Sequence, residues 1–313
     1  MVNERTSNYK SNGISHPLLL YIVTVIGLPF LAHGVLKLIY STPSTDFGTG
    51  SMFDGIATRY DFLNRALALN MDMSWRRTMV KEITSDGDLY FRTGKKKNEV
   101  KVLDLATGTA DVAILIAKEY EAVKKSRDNH MEISSVHIVG VDPSQNMINV
   151  GNEKIAKSYS NLSSQINLTV GDARNLMELK DKSFDIATIS FGIRNVPEKE
   201  VALCEIHRVF NKEGRLAILE FSEPGDDAGI MGFFARLFIR HIVPVVGAIL
   251  SGAPREYIHL QNSIKEFPSP TQFKEMMETL SCGKGGRGAF HVEEIQQLNF
   301  GSVQLYLASP VWK

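Results

Sequence analysis

Short apolar runs rich in β-branched residues alternate along most of this chain with stretches whose apolar residues recur every three or four positions. Lys101–Leu105, His137–Val141, Ile166–Val170, Phe184–Ile189 and Arg215–Phe221 have the first character, and Gly301–Ala308 repeats it near the end. Ala110–Tyr120, Ser144–Lys157 and Glu198–Phe210 have the second. Period-two runs predict strands and period-3.6 runs predict helices. Their regular alternation predicts βαβ units, hence a parallel sheet with helices on both faces. Ser85–Glu99, with its run Lys95–Lys97, and Val123–Ser135 are polar and read as solvated insertions. Gly283–Gly288 lacks the preceding strand and following Ser or Thr of a phosphate loop, and reads as a flexible loop.

The N-terminus breaks this rhythm. Pro17–Leu36 is a run of twenty residues without Lys, Arg, Asp or Glu. A helix of that length spans roughly 30 Å, the thickness of a hydrocarbon core. A membrane anchor is the first reading, with Lys37 and Tyr40 at the interface. A cleaved targeting segment and a helix docked on the domain are the alternatives. Ser41–Gly50 reads as a turn-rich linker, so residues 1–50 form one unit and residues 51–313 another. A second apolar stretch, Gly229–Gly252, is interrupted by Arg236, Arg240 and His241. It reads as a poor span and as an amphipathic cover over a hydrophobic tunnel.

Composition narrows the function. The 35 basic residues balance the 35 acidic ones, which counts against a nucleic-acid partner. Two cysteines, Cys204 and Cys282, exclude a disulfide scaffold and a thiol-rich metal site, and suit a reducing compartment. The histidines His207, His241 and His259 have no metal-like spacing and read as packing residues. Trp75 reads as packing in the N-terminal lid.

Chemistry gathers at the strand ends. Lys101–Leu105 runs into Ala106–Asp111 (ATGTAD) and a helix, a turn that lets a ligand approach backbone at a helix N-terminus. Asp142 ends the next strand, where a carboxylate accepts hydrogen bonds from both ribose hydroxyls; a helix cap is its alternative role. Asp172 and Ala173 follow the third strand, the carboxylate standing where an adenine amino group would be. Ser190 ends the fourth, followed by FGIRNVP.

This order, D-x-A-x-G-T then VD, GDA and an aromatic fourth strand end, is that of S-adenosylmethionine-dependent methyltransferases. Phe53–Asn64, Leu103–Asp111, Ile189–Val196, Glu205–Ser222, His241–Leu250 and Glu256–Pro270 together resemble the ubiquinone/menaquinone-biosynthesis C-methyltransferases. The resemblance covers roughly residues 52–310. It implies an α/β fold, a Rossmann-like class I methyltransferase with a mostly parallel seven-stranded sheet and helices on both faces; the apolar N-terminus, read above as a membrane-associated helix, lies outside it. It implies S-adenosylmethionine as methyl donor, no metal, and contacts from Gly108, Thr109, Asp142, Asp172, Ala173 and Ser190. The family often reads GGTGD where this chain has TGTAD, so Ala110 is expected to put a methyl group near the methionine moiety. GDA likewise stands where other members place Asn-Ala.

The implied substrate is a polyprenylated quinol, 2-methoxy-6-polyprenyl-1,4-benzoquinol for ubiquinone. Demethylmenaquinol or demethylphylloquinol methylation, and a non-catalytic scaffold, are the alternatives. The implied location is the matrix side of the mitochondrial inner membrane, or a plastid or bacterial membrane. A multi-enzyme quinone-biosynthesis complex or a homodimer is the implied assembly. C-methylation of a phenolate requires oxyanion stabilisation, in-line positioning and a proton route. Arg194 is expected to hold the phenolate, Asn195 to orient a quinol oxygen or water, and Tyr60 to donate to a quinol or methoxy oxygen. A surface ion pair for Arg194, a helix cap for Asn195 and core packing for Tyr60 are the alternatives.

Overall fold

The computed structural model describes residues 27–40, 50–85, 99–126, 135–225, 228–283 and 288–312. Residues 17–26 of the apolar run, most of the linker, the Lys95–Lys97 run and the centre of the GKGGRG loop lie outside the described residues.

The predicted strands form β1 (Glu99–Leu105), β2 (Ser135–Asp142), β3 (Ile166–Val170), β4 (Phe184–Ser190) and β5 (Phe210–Phe221). The order across the sheet is β3-β2-β1-β4-β5-β7-β6. The first five run parallel; β7 (Val303–Pro310) pairs antiparallel with both β5 and β6 (Phe290–Leu298). The strand order reverses between β1 and β4. Helices leaving opposite faces there open a crevice at the carboxyl ends, where ligands bind in such sheets.

Strand alternation sends successive residues to opposite faces. Val100 and Val102 of β1 join one core; Leu103 and Leu105 join the other. The first core is closed by α4 (Met71–Ser85), α5 (Asp111–Ser126) and α6 (Gln145–Ser158) through Met79, Ile83, Ile116 and Ile155. The second is closed by α7 (Lys199–Val209) and α11 (Pro270–Thr279) through Leu203, Ile206, Phe273 and Met277. Ser144 caps α6 by accepting from the Met147 amide at 3.1 Å, so the helix begins at the end of β2.

On the N-terminal side, α2 (Ser51–Asp54) and α3 (Tyr60–Leu67) lie over the carboxyl ends of the sheet. Asp61 of α3 accepts from Thr109 at 2.6 Å and pairs with Lys154 at 2.5 Å, tying this lid to the β1 loop and α6. Burial alone would raise Asp111, but Lys154, Arg76 and Arg65 outweigh it and hold the carboxyl below its usual range.

Three expectations meet the structure here. The described part of the apolar N-terminus, α1 (Leu28–Tyr40), is docked: buried His33 lies 3.0 Å from Gln261 of α10 (Pro254–Glu266) and 3.1 Å from His241. Gly229–Ser251 is long and apolar enough to cross a membrane, with mean hydropathy 1.8. Its residues form α8 (Gly229–Leu237), a π turn (Phe238–Ile242) and α9 (Val243–Ser251), which cover an apolar cavity, with Gly252 in the left-handed conformation stopping the last helix. The cysteines are not separate thiols. The chain returns from α11 beside α7, and Cys204 and Cys282 are bonded across that contact.

Candidate active site

Two hollows meet at the carboxyl ends of β1 and β4. The first is a cleft walled by Gly108, Asp142, Asp172, Ala173 and Ser190, five of the six residues expected to hold the methyl donor. The second is an apolar cavity of about 670 Å³ lined by Trp75, Phe191, Phe221, Phe234, Phe238 and Leu260, among others. Met52, Tyr60, Phe191, Asn195 and His259 line both.

The cleft is built on strained backbone. Ala106 after β1 and Phe191 after β4 are both left-handed, with φ of 50° and 58°. Such residues persist only where surrounding structure fixes them, and they cluster at functional sites. A Cβ on Gly192 would lie 2.3 Å from that of Ala106, so glycine there lets the two strand ends close together. Asp104, fully buried beneath the loop, accepts from Thr107 and Thr188 at 2.6 Å each. Burial, partly offset by these hydroxyls, pushes its carboxyl up to about 6.

Asp142 accepts from the Gly108 and Ser144 amides, both at 2.9 Å. An ionised carboxylate has about four acceptor sites, so two remain for ribose hydroxyls. Burial raises its pKa against the pull of these two amides, and Asp54 adds to the rise. The helix cap is Ser144, not Asp142. Asp172 is clamped by Arg174 through Nε at 3.0 Å and Nη2 at 2.6 Å, which holds it below its usual range. Ser190 supplies the test of fit. Its hydroxyl is buried at the end of β4 without a hydrogen-bond partner among the described residues, facing a cleft that offers ligand atoms.

Thr109 departs from this set. Its hydroxyl donates to Asp61 and accepts from Lys154 at 2.9 Å, so the side chain ties the lid rather than lining the cleft. The expectation for Ala110 is also corrected. Its φ is +68°, the reason glycine suits this position, and its methyl group is buried toward Gly151 of α6. The left-handed conformation costs a non-glycine residue about 1–2 kcal/mol, a backbone cost rather than a clash with the donor.

Arg194 lines the apolar cavity, not the cleft. It is no surface ion pair. Its Nη1 donates to Glu220 at 2.6 Å and to the Phe191 carbonyl at 2.7 Å, with both charged side chains buried. Its Nε has no hydrogen-bond partner among the described residues. Phe191 and Phe221 stack at 4.4 Å, and Arg76 and Arg194 stand over them at 5.2 and 5.4 Å from the ring centres. The cavity thus offers an oxyanion a fixed cation on an aromatic floor. Asn195 faces His259 Nε2 at 3.3 Å, and Tyr60 reaches over Gly108.

Glu220 was missed, although an acidic residue inside the run LAILEF is a signal that a buried partner exists. His259 is corrected from packing residue to site residue. His207, bonded to the Val311 carbonyl at 3.0 Å and tilted against Trp312 at 4.2 Å, does pack. Trp75 packs edge-on against Phe191 and Phe221 as expected, and lines the cavity in doing so. Among the described residues there is no cluster of metal-ligating side chains.

Comparison with known proteins agrees with this geometry. Residues 42–293 match the model of the ubiE/COQ5 methyltransferase family. The chain is 38% identical over 226 residues to the ubiquinone/menaquinone biosynthesis C-methyltransferase UbiE of Geotalea uraniireducens, covering 72% of this chain and 84% of that one. It is 35% identical over 227 residues to the demethylmenaquinone methyltransferase of Thermotoga maritima, with the same coverage. The crystal structure of the cyclase SpnF shares the fold, with a TM-score of 0.50 at 14% identity over 87% of this chain and 98% of that one. The chain therefore belongs to the ubiE/COQ5 methyltransferase family, as an S-adenosylmethionine-dependent C-methyltransferase.

Proposed function

We propose that the substrate is 2-methoxy-6-polyprenyl-1,4-benzoquinol, methylated at a ring carbon in ubiquinone biosynthesis. The observation that carries a prenylated ring is the junction of the two hollows. A ring at the shared wall meets the donor cleft on one side, while its tail occupies the apolar cavity. When bound, S-adenosylmethionine supplies an electrophilic methyl group; Gly108, Asp142, Asp172 and Ser190 would hold it. Arg194 stabilises the ring phenolate by charge and by its Nε–H. Asn195 and Tyr60 orient the ring oxygens. Phe191 and Phe221 carry the ring's face, excluding water from the charge that builds there. The relative named as a demethylmenaquinone methyltransferase supports a naphthoquinol as the second reading.

Transfer of labelled methyl to prenylated benzoquinol and naphthoquinol analogues tests this. The benzoquinol is expected to react with kcat/KM at least about tenfold higher, a difference of roughly 1.4 kcal/mol in transition-state binding. The reverse preference would assign the chain to naphthoquinols. Transfer to neither, with donor binding intact, would overturn both.

The same reading places the enzyme at a membrane: the matrix face of the mitochondrial inner membrane in a eukaryotic cell, a bacterial membrane otherwise. Leu31 (68% exposed), Ile230 (73%) and Ile249 (76%) project from the helices that roof the cavity, beside Leu38, Phe233 and Phe234. Lys37, Arg236 and Arg240 stand on the same elements. An apolar patch with basic residues at its rim suits a lipid surface, and from it a tail passes directly into the cavity. Replacing Leu31, Ile230 and Ile249 together by Ser is expected to cut the vesicle-bound fraction at least about tenfold in cosedimentation with anionic vesicles, since each buried aliphatic side chain is worth about 1.5–3 kcal/mol. Unchanged partitioning would remove this face from membrane contact.

A further inference from the structure

We propose that His259 is the base that takes the proton from the ring hydroxyl beside the carbon to be methylated. The inference deepens the quinol reading above and rests on it. His259 is only 8% exposed, yet its imidazole borders both the donor cleft and the apolar cavity, so it flanks the place where ring and methyl must meet. Asn195 Oδ1 accepts from its Nε2 at 3.3 Å, which fixes the ring's orientation and makes Nδ1 the basic nitrogen, and Arg194 is the adjacent residue on the same turn. A hydroxyl that reaches Arg194 to become an oxyanion is therefore delivered to the imidazole's side of the cavity.

The other candidates at the wall are poor acceptors. A guanidinium stays protonated and serves only as donor. Tyr257, on the same helix, is pushed up to about 12 by burial, with Tyr60 and Glu256 adding to the effect, so it keeps its proton. Burial, and then the charge of Arg194, hold the imidazole below its ordinary pKa, so it is present at neutral pH in its basic, uncharged form. The charged and titratable groups that line the two hollows with it are Arg194 on the turn after β4, Tyr60 on α3, Asp72 and Arg76 on α4, Glu256 and Tyr257 on α10, and Asp142, Asp172 and Arg174 on the cleft side. The sequence of α9 contains none.

The step balances without a further reagent. The O–H bond breaks and an N–H bond forms, leaving imidazolium and a phenolate paired with Arg194. Once the neighbouring carbon carries the methyl group, the oxygen is a ketone and that carbon holds both methyl and hydrogen. Loss of this C–H proton to water restores the aromatic ring, and the imidazolium returns its proton to the oxygen. One proton is released per turnover, as conversion of a sulfonium to a thioether requires.

The test combines a binding signal with turnover. A prenylated nitrophenol, whose phenolate absorbs apart from its phenol, is titrated against pH on the donor-free enzyme. His259→Gln retains a polar side chain opposite Asn195 and removes the base. The bound phenol is expected to ionise at least about one pH unit lower on the wild type than on His259→Gln. With the donor and benzoquinol, kcat is expected to fall about 10²-fold, the usual contribution of a general base, with the donor Kd unchanged. The acid limb of the wild-type pH profile is expected to disappear in the variant. Equal phenol ionisation, or kcat within about threefold of wild type, would overturn the role of His259 while leaving the quinol reading in place. Absence of transfer by the wild type itself would overturn both. A thermal melt matching the wild type keeps a lost kcat from being a folding defect; for a variant that melts early, His259→Asn gives the same readings.

Discussion

Asp142→Ala is expected to weaken S-adenosylmethionine binding by roughly 10²- to 10³-fold in calorimetry. Hydrogen bonds to a charged acceptor contribute about 1.5–3 kcal/mol each, and the carboxylate has two acceptor sites left for the ribose diol after serving Gly108 and Ser144. Two such bonds, discounted because water partly replaces them, give about 3–4 kcal/mol, and each 1.4 kcal/mol is tenfold. The same substitution leaves two backbone amides at the cleft unpaired, so part of the loss comes from a loosened β1 loop. Asp142→Asn separates the contributions. Its single carbonyl can serve one amide while its NH₂ opposes the other, so the loop loosens nearly as much, yet one acceptor for a hydroxyl persists. An affinity for Asp142→Asn between those of wild type and Asp142→Ala, at matched melting temperature, assigns the difference to the ribose. Wild-type affinity in Asp142→Ala would remove the residue from the donor site.

Much of this site was legible because a parallel sheet puts function at predictable places. Runs ending in Leu105, Asp142, Val170 and Ser190 mark four strand ends, and the order reversal between β1 and β4 brings the next residues of each into one cleft. What stayed hidden depends on contacts distant in sequence. The edge strand β6 reads FHVEEIQQL, and its alternation is broken by the register shift between Val292 and Glu294 where it pairs with β7. Thr109 points to the lid because Asp61 and Lys154, 48 residues before it and 45 after it, claim its hydroxyl. Cys204 and Cys282 meet only because α11 folds back on α7. His259 belongs to a helix whose apolar period is ordinary; its importance comes from the turn at Arg194–Asn195 against which that helix packs. Gly229–Gly252 was legible as a cover because Arg236, Arg240 and His241 interrupt its apolar run, and its helices do line the apolar cavity.

Arg194→Ala is expected to lower kcat about 10²- to 10³-fold, the usual loss when a preorganised oxyanion donor is removed, while leaving the donor Kd close to wild type. The separation follows from position, since Arg194 lines the apolar cavity and not the cleft. A stability effect accompanies it. Glu220 is fully buried, and truncating its partner leaves only the Arg194 and Phe221 amides, at 3.1 and 2.8 Å, to hold its charge. Breaking a buried ion pair from one side costs about 3–5 kcal/mol, so Arg194→Ala alone confounds catalysis with folding. Arg194→Met with Glu220→Gln removes both charges at similar volume. The double variant is expected to recover most of the melting temperature and none of the turnover. Arg194→Lys keeps the charge without the planar fork that reaches Glu220 and Phe191 together, and is expected to retain an intermediate rate. Should the double variant regain wild-type kcat along with its stability, Arg194 would be a scaffold for Glu220 and the oxyanion would be stabilised elsewhere on the shared wall.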